Sequence, residues 1–135
     1  MRYDELSIGQ SATYTRQVTD ADVMSFAKIT GDFNPVHVDE AAAAKSRFGG
    51  RIAHGMLSAG LVSAAIANRL PGPGAIYLGQ TMKFTAPVRI DDTITVTLTV
   101  TELLSKNRVR LSTVCRNQNG DMVLDGEATI LMDEG

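Results

Sequence analysis

Cysteine is nearly missing from this chain of 135 residues: Cys115 stands alone, which excludes an internal disulfide. Set in an alternating apolar segment, it reads as a small core hydrophobe rather than a nucleophile. Concentrated positive charge is missing too. Thirteen Lys and Arg against fifteen Asp and Glu leave a net charge of -2, and the basic residues are scattered, so no nucleic-acid footprint is written here. No apolar run is long enough to span a bilayer. The greasiest stretch, Met56 to Leu70, is too short and carries Ser58, Ser63, Asn68 and Arg69, which excludes a membrane partner. Repeats, low-complexity tracts and linkers are absent as well. No charged-apolar-small signal segment opens the chain, so a reducing cytoplasm is the expected location. What is left is one domain over residues 1–135, long enough to bury a core without staples.

The segment "VTDADVMSFAKITGD" predicts a short helix. Thr19 can cap it, Asp22 completes a capping-box spacing, and Val23, Phe26, Ala27 and Thr30 share a face before Gly31 gives the exit. A second helix is expected through "EAAAAKSRF", capped by Asp39 and stopped by Gly49 and Gly50. The third, from Met56 to Leu70, is apolar on nearly every side and demands complete burial until Pro71 ends it. Beyond it the period changes to two. Ile94, Val96, Leu98 and Val100 alternate with threonines, and Val109, Leu111, Thr113 and Cys115 alternate with polar residues. Asp91-Asp92 marks one turn and Asn119-Gly120 a hairpin. With "SATYTRQV" and "AIYLGQTMKF" about five antiparallel strands are available. A twisted sheet whose apolar face wraps one buried helix satisfies both patterns, which makes the fold class α+β.

The chemistry is crowded into the connection between the first two helices. "GDFNPVHVDE" places an acid, an amide and an imidazole around Pro35, which disfavours helix at Asn34. Taken singly, each residue has a plain use. Asp32 and Asn34 suit a turn, His37 suits a hydrogen-bonded structural histidine, Gly55 suits close packing, and Ser63 suits a bond to its own helix backbone. Asp32, His37, Asp39, Glu40 and His54 can be imagined as metal ligands. Yet there is no paired-histidine helix spacing and no cysteine cluster, and Asp39 and Glu40 are explained as cap and first-turn acids, so no metal is expected.

"GDFNPVHVDE" followed by "RIAHGML" resembles the signature of the MaoC-like (R)-specific enoyl-CoA hydratases. The likeness continues through "AHGMLSAGLVS", "LPGPGAIYLGQ" and the later strand pattern, and it comes closest to the short single-domain type associated with polyhydroxyalkanoate synthesis. It implies the hot-dog fold and the hydration of a trans-2-enoyl-CoA to an (R)-3-hydroxyacyl-CoA, or the reverse. It implies no metal and no redox cofactor, CoA entering as part of the substrate, and a homodimer. By position it makes Asp32 the principal base, with His37 holding the same water and sharing in proton delivery. Asn34 would orient the pair, and the main-chain N–H of Gly55 would meet the thioester oxygen. Ser63 would support Asp32, and His54 would shape the helix entry.

Readings from other classes remain. A hot-dog thioesterase would also bind acyl-CoA, but would direct water at the thioester carbonyl. A non-catalytic acyl-CoA or acyl-carrier module would use the same loop only to seal a pocket. Met56, Leu61 and Val62 are generic candidates for the pocket floor, and no lysine or arginine is singled out for the CoA phosphates.

Overall fold

The threonines and aliphatics that alternate late in the chain build the largest element, a five-stranded sheet of order β1-β3-β4-β5-β2 with every neighbour antiparallel. A computed structural model describes residues 1–133. In chain order these are β1 (Ser11–Gln17), α1 (Asp20–Thr30), α2 (Pro35–Val38), α3 (Glu40–Ala44), α4 (Gly55–Asn68), β2 (Ala75–Phe84), β3 (Thr93–Leu104), β4 (Arg108–Arg116) and β5 (Met122–Met132). The strand residues with period two fall on one face. Val96 pairs with Cys115 and Val100 with Leu111, and all four are buried. Thr113, on the same face, is also buried, and its hydroxyl accepts from Gln80 Nε2 at 2.9 Å, so a polar atom in the core is satisfied. The hairpin expected at Asn119-Gly120 forms, with Gly120 at φ 82 and the Asn117 carboxamide accepting from the N–H groups of Asn119 and Asp121.

Against that face lies α4. Leu57, Val62, Ala65 and Ile66 pack on Ile94, Leu98, Leu111 and Ile130 in one core cluster, where each fully buried Leu, Ile or Val stabilises by roughly 1.5–3 kcal/mol. The helix is not covered all round, as its composition demanded. Met56 is 53% exposed, and Gly60, Ser63 and Ala67 are exposed along the same side, because this chain supplies a sheet on one side only. Beside that open side runs β2, an edge strand with Ile76, Tyr77 and Leu78 exposed. Among the described residues, no helix is long and apolar enough to cross a membrane.

The capping box of α1 is as expected: Thr19 accepts from Asp22 N–H, Asp22 accepts from Thr19 N–H, and Gly31 closes the helix at φ 81. That arrangement, led by the backbone bond from Thr19, holds the Asp22 carboxyl below the usual carboxylate range. The next helix differs. Asp39 caps α3 through the N–H groups of Ala41 and Ala42, but α3 ends at Ala44 instead of running to Gly49. Ser46 stops it: its hydroxyl donates to Ala43 O and accepts from Phe48 N–H, trading helix for turn.

Candidate active site

Gly31 turns the chain out of α1, and the next residues are locked by short local bonds. Asp32 Oδ1 accepts from Asn34 N–H at 3.1 Å, and Asn34 Oδ1 accepts from Val36 N–H at 3.4 Å. Pro35 then occupies the first position of α2, where its missing N–H and fixed φ cost nothing. Asn34 is non-helical, as Pro35 demands, and one helical turn follows it and carries His37. The plain Asx-turn use of Asp32 is real, and it fixes one carboxylate oxygen while the rest of the group stays exposed.

His37 is buried, and its Nδ1 lies 2.8 Å from Ile52 O. A carbonyl only accepts, so Nδ1 carries the proton and Nε2 of the neutral ring is left with a lone pair. His54, 2% exposed, places its Nε2 at 3.0 Å from Asp32 O and therefore donates there. The His54 ring stacks on His37 and tilts against Phe26, with centroids 4.7 Å apart in the second pair. Arg51 braces the arrangement from behind: its Nε donates to His37 O at 2.6 Å, and its guanidinium pairs with Asp20 at 2.7 Å.

A carboxylate oxygen of Asp32 and a ring nitrogen from each of His37 and His54 all lie within 4.8 Å of one another. Two hydrogen bonds of about 2.8 Å at a tetrahedral angle span roughly 4.6 Å, so one water fits between such acceptors. The same three residues could each offer one ligand atom to an ion, with His37 Nδ1 and His54 Nε2 already engaged by the carbonyls of Ile52 and Asp32. Asp39 is spent on its cap and lies outside the cluster.

The cluster opens into a cavity of about 500 Å³ whose wall includes the tip of α4. His54 is the N-cap of that helix but gives it no side-chain hydrogen bond, so the first N–H groups are left to a ligand. Gly55 follows. A Cβ there would stand 2.9 Å from the ring of the exposed Phe84, so any side chain would have to displace that ring, and glycine leaves the N–H open to a ligand. On the same wall, Ser58 Oγ and His54 Nδ1 are both buried without a hydrogen-bond partner among the described residues.

The structure therefore brings Asp32, His37, His54 and Gly55 to one cavity. Asn34 does not line it. It acts on Asp32 through its backbone N–H while its carboxamide caps α2. Ser63 is exposed, lies outside this cavity, and makes no hydrogen bond to Asp32 among the described residues. Of the three floor candidates only Met56 lines the cavity; Val62 is core, and Leu61 lies beside Phe26 and Ile29. Sequence reasoning missed Ser58, Phe84 and Arg47, all of which line it. The signal for Ser58 was its place three residues after Gly55, on the helix face that leans back over the first turn.

The MaoC like domain matches residues 6–121 of this chain. A 3-hydroxybutyryl-CoA dehydratase from Methylorubrum extorquens is 46% identical over 129 residues, covering 95% of this chain and 82% of its own. An (R)-specific enoyl-CoA hydratase from Rhodospirillum rubrum is 47% identical over 131 residues, covering 96% of this chain and 90% of its own. Among solved structures, an unliganded R-hydratase from Pseudomonas aeruginosa is 54% identical, with a TM-score of 0.94 over 99% of this chain and 86% of that one. A sheet cradling α4, a connector that brings an acid and a histidine to the histidine-capped tip of that helix, and this likeness along almost the whole chain agree: the protein belongs to the MaoC-like family, with the hot-dog fold.

Proposed function

We propose that the chain acts as one hot-dog domain that adds water to a trans-2-enoyl-CoA, giving the (R)-3-hydroxyacyl-CoA, and catalyses the reverse elimination. The observation that carries this is the grouping of the Asp32 carboxylate with a His37 ring nitrogen within 4.8 Å at the wall that contains the α4 tip. Both groups are acceptors in the tautomer described, so a water between them has both hydrogens engaged and a lone pair free for the β-carbon. Asp32 takes a proton as the carbon–oxygen bond forms. Negative charge moves through the double bond to the thioester oxygen, where Gly55 N–H and the positive end of α4 receive it. The proton is then delivered to the α-carbon, with His37 sharing in its transfer. Water is consumed and nothing is oxidised, so the step needs no redox cofactor.

Asn34 and His54 are positioning residues in this scheme, acting on Asp32 through its carboxylate and its carbonyl. Ser63 faces the open side of α4 and belongs with the assembly surface. The exposed apolar edge of β2, the bare side of α4 and the apolar groove between them, lined by Phe26, Met56, Tyr77 and Met82, support a homodimer paired through β2. The reaction belongs to a cytoplasmic acyl-CoA pool, and the same chemistry serves storage-polyester supply or fatty-acid turnover.

The test is crotonyl-CoA: loss of the enoyl absorbance with formation of (R)-3-hydroxybutyryl-CoA is expected. Release of free CoA from a saturated acyl-CoA, with no hydration of any enoyl chain length, would establish a thioesterase instead.

A further inference from the structure

The cavity that holds Asp32 and His37 has one permanent cation among its lining residues, Arg47. Arg47 is exposed, so it stands at the rim, and its guanidinium carbon lies 5.8 Å from the centroid of Phe48, a second lining residue. The other arginine of this turn has a different fate. Arg51 is only 8% exposed in its side chain and is committed to Asp20, Glu40 and His37 O. Arg47 has no carboxylate partner among the described residues, and neither has Arg89, whose Nη1 reaches the same turn, 3.7 Å from where a Cβ on Gly50 would stand. The turn that carries Arg47 is thus also reached by the Arg89 guanidinium at Gly50, and neither group is spent on a carboxylate among the described residues, on a chain whose net charge is -2.

The reacting end of an enoyl thioester must reach the buried histidine, so its phosphorylated end must pass the rim. A guanidinium there presents paired donors matched to phosphate oxygens. We propose that Arg47, seconded by Arg89, recognises the phosphate of the thioester's carrier arm and sets the preference for phosphorylated over bare pantetheine substrates. This rests on the hydratase reading of the same cavity. It assigns Arg47 to binding alone, remote from proton transfer.

The experiment crosses substrate truncation with substitution. Initial rates of parent and Arg47→Ala enzyme are measured on crotonyl-CoA, crotonyl-4′-phosphopantetheine and crotonyl-pantetheine. Expected for crotonyl-CoA is a rise in KM of roughly tenfold with kcat unchanged, steeper at low salt, and partly restored in Arg47→Lys. On crotonyl-pantetheine, which has no phosphate, parent and variant should agree within about twofold. Sensitivity kept on phosphopantetheine supports the assignment, placing the contact at the arm phosphate shared with acyl carriers; sensitivity confined to CoA places the contact at the nucleotide end and overturns it. An equal loss on bare pantetheine, or no loss on any substrate, overturns it. A parent enzyme inactive on all three overturns the hydratase reading itself.

Discussion

His37 and His54 are laced crosswise: His37 Nδ1 bonds Ile52 O, His54 Nε2 bonds Asp32 O, and the rings between those bonds stack with centroids 3.9 Å apart and planes at 29°. The connector and the entry to α4 are therefore held by two reciprocal side-chain bonds rather than by backbone pairing alone. Replacing His54 by Ala removes one bond and the stack. Stability should fall by about 2 kcal/mol, adding one buried hydrogen bond to an aromatic contact. The kcat should fall further than KM rises, because the Asp32 loop loses its anchor; urea denaturation with steady-state kinetics measures both.

Asp32→Asn and His37→Gln remove the two basic groups assigned to the water, leaving amide oxygens that accept a hydrogen bond but take no proton. Each should lower kcat on crotonyl-CoA by about 10²–10⁴ with the circular dichroism spectrum unchanged. The double variant should be scarcely worse than the poorer single, since the two act on one water. Full activity in either single variant contradicts the mechanism.

Ser58→Ala removes a buried hydroxyl that has no partner among the described residues, so no hydrogen bond within them is lost with it. Unfolding free energy should hold within about 0.5 kcal/mol or rise by roughly 1 kcal/mol, the reverse of a typical buried polar deletion. A loss beyond that range in urea would show that the hydroxyl is bonded in solution.

Leu78→Lys places a charge on the exposed edge of β2, the device by which edge strands refuse partners. A monomer by light scattering is expected where the parent is a dimer, with far-ultraviolet circular dichroism retained. Dimers that persist unchanged would move the interface elsewhere.

Cys115 gives a pH signature. Burial on β4 pushes its thiol from 9.0 up to about 12, so the folded protein keeps it neutral while the unfolded chain ionises it. The stabilisation is complete below the thiol's ordinary range and declines above it, by up to about 1.4 kcal/mol per pH unit. Denaturant midpoints between pH 8 and 10.5 should show that decline in the parent and a shallower one in Cys115→Ala, and the native thiol should resist alkylation throughout.

Much of this was legible in the sequence, for local reasons. Period two fixed the inward set on β3 and β4, Thr19 and Asp22 spelled a capping box, and Asp39 announced α3, because each rule acts over a few residues. The grouping of Asp32 and His37 came from a motif whose spacing is itself local. Hidden were the features that depend on chain separation. Ser63 was assigned to Asp32 by the resemblance, but the helix turns it to the open side. Asn34 serves through its backbone, which no side-chain inventory reveals. The turn at Arg47 could not be matched with Arg89, some forty residues on, before both were in place. The fully apolar surface of α4 was read as burial within one chain, whereas composition states only that cover is required, not whose.

Phe84 closes against Gly55 from the end of β2, and Ile76 to Leu78 at the other end of that strand form the free edge. One strand, with a register shift between Tyr77 and Gly79, thus carries both the proposed docking rail and the stopper beside the proposed oxyanion donor. Joining a second copy along the rail would fix the height of the stopper, so subunit pairing and the aim of a single amide hydrogen become the same mechanical adjustment. Dilution to lone chains would then dull turnover before it loosened the core.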